Sequence, residues 1–144
     1  MLFYSLKCYT FAGNGGDVRV FKAKWFARYA RKEGIDDRKL VQAIHEAEKG
    51  QIDADYGGGL IKKRIARDGD GKSGGYRSII AYRSKTRCVF LYCFAKNDME
   101  NLNKKEVSGY KALSALYLGF TDREIATALE KREIEEVEYN DEEI

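Results

Sequence analysis

The sequence predicts an α+β fold: a small, mostly antiparallel sheet with an N-terminal helical hairpin on one face, followed by C-terminal helices. Three observations carry this. After one short strand the patterns come in blocks, β-α-α-β-β-β-α-α, rather than in strict alternation. The runs YRSIIAYRS (76–84) and RCVFLYCFAK (87–96) are rich in β-branched and aromatic residues and are joined by a short KT turn, a hairpin pattern. The helical blocks carry apolar stripes of helical period, bounded by capping residues.

Taken in order, VRVF (18–21) is a short strand. KAKWFARYARKEG (22–34) is a helix whose stripe is Trp25, Phe26, Tyr29 and Ala30, stopped by Gly34. Asp36 or Asp37 caps a second helix that runs to about Lys49, with Leu40, Val41, Ile44 and Ala47 on its inner face. GLIKKRIAR (59–67) is a basic strand, and DGDGKSGG (68–75) is a glycine-rich connection to the next one. VFLYCF is apolar on both alternating faces, so the third strand is central and covered on both sides. NKKEVSGYKALSALYLG (103–119) is helical, and TDREIATALEK (121–131) opens on a capping box, Thr121 with Glu124.

The chain has 144 residues, a length that fits one domain and buries a core without staples. Residues 1–17 read as an N-terminal extension, 18–131 as the folded domain and 132–144 as an acidic tail. The opening segment lacks the basic start and apolar core of a secretory signal. No apolar stretch approaches the ~20 residues of a membrane span. The cysteines Cys8, Cys88 and Cys93 have no ligand spacing, which fits a reducing cytoplasm. Cys88 and Cys93, five apart in a strand, are expected on opposite faces and unpaired.

The net charge of +3 hides a split. Residues 130–144 carry a net of −6, leaving residues 1–129 with 24 Lys/Arg against 15 Asp/Glu. A basic body fits a polyanionic partner such as nucleic acid, and equally a solvated charged surface. The single histidine, His45, sits mid-helix, so no histidine pair, Ser-His-Asp set or zinc cluster is available and no cofactor is expected. The glycine-rich stretches do not match a phosphate loop, because a strand and not a helix follows.

The unusual feature is the density of cations on neighbouring strands. Lys62, Lys63, Arg64 and Arg67 lie on the first middle strand, Lys72 in the connection, Arg77 and Arg83 on one face of the second, and Lys96 at the end of the third. Tyr76, Tyr82 and Tyr92 are interleaved. Cations beside aromatics on a sheet suit phosphate contacts and base stacking. A sheet edge defended by lysines is the competing reading.

VRVFKAKWFARYARKEGI, IDADYGGGLIKKRIAR, SGGYRSIIAYR and VFLYCFAKND, in this order, resemble the RelE/HigB-type toxins of bacterial toxin–antitoxin systems over about residues 18–131. The resemblance implies a ribosome-dependent endoribonuclease that cuts translated mRNA, acts in the cytoplasm and is neutralised by a cognate antitoxin, commonly a helix-turn-helix protein. It implies catalytic roles for Lys62, Lys63, Arg64, Arg77 and Lys96, while the cation-and-aromatic pattern itself puts Arg67, Lys72, Tyr82 and Arg83 on the RNA. Arg77 is the closest match, since the Gly-Tyr-Arg step is intact. The chain departs from the pattern at Asn97, where RelE-type sites carry arginine, and has no tyrosine over 101–104. Substrate positioning or proton transfer therefore differs, or the nuclease is weak. The same superfamily includes ParE-like gyrase inhibitors, and a non-catalytic RNA- or partner-binding module would also keep the basic sheet.

Overall fold

A computed structural model of the chain describes residues 18–67, 71–95 and 101–138. The elements run β1 (Arg19–Ala23), α1 (Lys24–Glu33), α2 (Asp37–Glu48), β2 (Ala54–Gly57), β3 (Leu60–Arg67), β4 (Gly71–Arg83), β5 (Arg87–Ala95), α3 (Lys104–Leu118), α4 (Asp122–Glu130) and β6 (Ile134–Val137). They build a six-stranded sheet of order β2-β3-β4-β5-β1-β6. Only the β1–β5 pair is parallel among these strands. The architecture is the α+β, mostly antiparallel one the sequence predicts. Residues 1–17, with Cys8, lie outside the described residues.

Helices cover both faces. Phe26 and Ala30 of α1 and Leu40 and Ile44 of α2 pack over Val20, Ile61, Ile80 and Phe90. Leu118 of α3 and Ile125 of α4 pack over Phe21, Leu60, Ile79 and Val89 on the other side. Three helices start and stop where the sequence says, while α1 begins only at Lys24 because Lys22 and Ala23 continue β1. Asp36 caps α2 by accepting the Lys39 N–H at 3.0 Å. Gly34 ends α1, and both α3 and α4 open on complete capping boxes, Asn103 with Glu106 and Thr121 with Glu124.

Two phenol–carboxylate bonds pin the helical hairpin to the sheet. The Tyr76 hydroxyl donates to Glu33 at 2.8 Å, and the Tyr82 hydroxyl donates to Glu48. Burial and the Glu48 carboxylate push the Tyr82 phenol far above its ordinary range. Tyr82→Phe is expected to cost about 1–2 kcal/mol, seen as a lower urea midpoint at unchanged slope. An unchanged midpoint would show that the bond adds nothing.

Acidic residues close the far edge of the sheet. β6 pairs antiparallel with β1, and Ile134 and Val137 are buried. The buried Lys22 ammonium lies 2.8 Å from Asp37 and 3.9 Å from Glu135, joining β1, α2 and β6. Residues 134–137, placed by the sequence reading in the acidic tail, are thus part of the sheet, and the folded unit runs to Val137. The IEEV pattern hides a strand because its two apolar residues, three apart, serve opposite faces. Residues 139–144 lie outside the described residues.

Arg19 bonds both carboxylate oxygens of the buried Glu136 at 2.9 Å. Burial and then the Glu138 charge push the Glu136 carboxyl up from 4.5 to about 7. A carboxyl that holds its proton more tightly when folded lowers stability as pH rises through that range. Arg19→Met removes the compensating cation. It is expected to destabilise by about 2 kcal/mol at pH 8 and by less than about 1 kcal/mol at pH 5.5, where Glu136 is neutral. Equal losses at the two pH values in thermal unfolding would contradict this.

Three local expectations are corrected. β2 was not anticipated, since ADYG is short and half-exposed; it forms because β3 offers it a partner. The supposed connection over 68–75 is largely strand, because β4 already begins at Gly71. Cys88 and Cys93 share one face, beneath α1 and α2, rather than opposite faces. The register jumps from Ile79↔Tyr92 to Ile80↔Phe90, so Leu91 is an inserted bulge residue that reverses the alternation. The two thiols remain free and buried, and burial pushes both upward. Five residues of strand, about 16 Å, separate them too far for a disulfide.

Candidate nucleic-acid interface

The β3–β4 pairing sets the site. Lys62 stands opposite Ile79, and Arg64 stands opposite Arg77. By strand alternation Lys62, Arg64 and Arg77 share the face that carries α3. Two guanidinium groups and an ammonium therefore form a row on adjacent strands. Phe94 of β5 flanks Arg77 on the other side.

Arg77 is held and yet incomplete. Its side chain is 11% exposed, and its Nε lies 3.7 Å from Asp53 Oδ2. Its Nη1 is buried and has no hydrogen-bond partner among the described residues. A buried guanidinium N–H left unpaired costs free energy that an incoming anion recovers. Lys62 Nζ donates to Asn101 Oδ1 at 2.7 Å, on the segment that leads into α3. Tyr56 of β2 packs against the core on the α3 side. Burial and the Asp53 charge push its phenol upward.

The other expected site residues fall elsewhere. Lys63 alternates to the opposite face, where its 9%-exposed side chain meets Glu46 Oε1 of α2 at 2.7 Å. Arg67 lies over the Tyr76 ring, 4.8 Å from its centroid. Tyr82 also faces the helical hairpin and is tied to Glu48, so it anchors α2 rather than presenting a ring to a base. Tyr92 packs between Trp25 and Tyr110, at 4.8 and 5.5 Å, half-buried against the edge of the core. Arg83 shares the parity of Arg77 but sits six residues along β4, about 20 Å away, and is exposed near the β4–β5 turn. Lys72 belongs to β4, and Lys96 lies outside the described residues. Among the described residues no group of three or more His, Cys, Asp or Glu could hold a metal ion.

Sequence reasoning missed Asp53 and Asn101. Both are ordinary polar residues of connecting segments, and only the tertiary fold brings them to the cations. Their one signal is position: Asp53 directly precedes the glycine-turned hairpin that carries Lys62.

A cation row on the α3 face of a mostly antiparallel sheet, whose other face carries a helical hairpin, defines a small α+β protein. The model of the RelE toxin of RelE/RelB toxin–antitoxin systems matches residues 18–137, and the chain belongs to this family. It is thus a toxin of a toxin–antitoxin system, with an antitoxin as its counterpart. The comparison with curated proteins finds no match. Among the described residues no helix is long and apolar enough to cross a membrane.

Proposed function

We propose that the chain is a ribosome-dependent endoribonuclease that cuts translated mRNA in the cytoplasm and so halts translation. The observation that carries this reading is the buried, unpartnered Nη1 of Arg77 directly across from Arg64 and on the face of Lys62. In the proposed reaction the ribose 2′-oxygen attacks the adjacent phosphorus in line. The O2′–P bond forms, the P–O5′ bond breaks, and a 2′,3′-cyclic phosphate and a 5′-hydroxyl result. Arg77 and Arg64 hold the non-bridging oxygens, where charge-assisted bonds in a dry site are strongest. Asp53 fixes the direction of the Arg77 guanidinium. Lys62 carries its ammonium to the departing 5′-oxygen and protonates it, while the 2′ proton leaves to a solvent base. Lys63 supports the β3 wall from the far face through Glu46 rather than touching the phosphate. The antitoxin silences the toxin by laying an acidic or amphipathic segment over the cation row.

The test adds purified protein to a translation reaction on a defined mRNA. Cleavage inside the translated region, present with ribosomes and absent without them, is the expected result. Intact mRNA together with blocked DNA supercoiling by gyrase would overturn the reading in favour of a ParE-like poison.

A further inference from the structure

We propose that the cleft between α2 and the open edge of β3 is a base-reading subsite for the RNA nucleotide next to the cut. The inference rests on the nuclease reading for its substrate and shares Arg64 and Asp53 with that site, while the rest of its lining is separate. The cleft has a volume of about 570 Å³, room for a mononucleotide. Ala43, Ile52 and Ile65 give it an apolar lining against which a base can lie. Arg64 and Asp53 line it too, and both belong to the Arg77 cluster on the other face of the sheet, so an RNA strand leaving the cation row enters the cleft by turning over the β3 edge.

The two ends of the cleft differ in charge. Arg38 and Glu46 both line it, eight residues apart on α2, about 12 Å. Arg38 and Arg64 have no hydrogen-bond or ion-pair partner among the described residues, so they are available to a phosphate. Glu46 is immobilised by Lys63 at 2.7 Å and by the Gln42 amide at 3.1 Å. A fixed carboxylate repels phosphate but accepts N–H groups from a base edge. Gln51, also in the lining, adds an amide that both donates and accepts.

The backbone contributes as well. β2 pairs with β3 only as far as Lys62, whose carbonyl takes the Asp53 N–H at 2.9 Å. Two residues on, the N–H and C=O of Arg64 point the same way, and no strand among the described residues pairs with them there. An unpaired strand edge offers a donor and an acceptor side by side, the pattern that the hydrogen-bonding edge of a base matches. These features tell bases apart, whereas the Arg77 row grips only the backbone.

The experiment titrates the four ribonucleoside 5′-monophosphates into full-length Arg77→Ala protein, followed by amide shifts in two-dimensional NMR. The expected result is saturation at Ala43, Ile52 and Ala66, with one base binding at least about ten-fold tighter than the weakest. Arg38→Ala should weaken binding at least about five-fold, and Gln51→Ala should narrow the spread between bases. Equal binding of all four, insensitivity to Arg38→Ala, or tighter occupation of the same amides by an acidic peptide would overturn the proposal. A wild-type chain that leaves mRNA intact while the cleft still selects a base would overturn the nuclease reading alone. Cleavage with an unselective cleft would overturn this inference alone.

Discussion

Arg77→Ala is expected to cut translated mRNA about 10²–10³-fold more slowly than the wild-type chain, as removal of one preorganised oxyanion donor does elsewhere. The geometry makes this a test of chemistry more than of folding. Nη1 already lacks a partner, and the one described ion pair of Arg77, to Asp53, is long at 3.7 Å. Losing the side chain therefore removes little native bonding, and the unfolding midpoint should move by only a few degrees. Arg77→Lys keeps the charge but not the planar fork, so it should recover only part of the rate. A wild-type rate in Arg77→Ala would mean that the row does not act on the scissile phosphate.

Gly75→Ala is expected to lower both stability and cleavage. A Cβ at Gly75 would stand 2.1 Å from the Ile65 carbonyl oxygen and 3.0 Å from Ala66 Cα, all backbone atoms of the neighbouring strand. Backbone cannot rotate away as a side chain can, so β3 must shift against β4. The cost is on the order of 1–3 kcal/mol or more, a fall of about 5–10 °C in the unfolding midpoint. The shift strikes one residue from the Arg64↔Arg77 pair, so cleavage should fall at least about ten-fold even where the protein remains folded. A variant as stable and as active as the wild type would show that β3 and β4 are not so closely matched beside the site.

The helices were legible because each couples a 3.6-residue stripe to a cap, as with Asp36 before Leu40, Val41 and Ile44. β3, β4 and β5 were legible through their β-branched and aromatic content. β2 and β6 were not, because each is four residues long and is stabilised by the strand beside it rather than by its own pattern. The Leu91 bulge was equally hidden: alternation counted along RCVFLYCFA places Cys93 on the wrong face. Within the site, Arg77 stood out from its place after Gly-Tyr, but Lys62, Lys63 and Arg64 read as one cationic run. The strand pleat divides them, sending Lys63 to Glu46 and leaving Lys62 and Arg64 beside Arg77. The Arg64↔Arg77 pairing depends on the β3–β4 register, and a connection longer than a two-residue turn does not specify that register.

The most direct measurement is end-group analysis of mRNA recovered from cells after induction of the wild-type toxin. The account predicts new fragments from translated regions that carry a 5′-hydroxyl and, upstream, a 2′,3′-cyclic phosphate, and their absence with Arg77→Ala. Growth arrest with every message intact, or fragments just as abundant in the alanine variant, would contradict it.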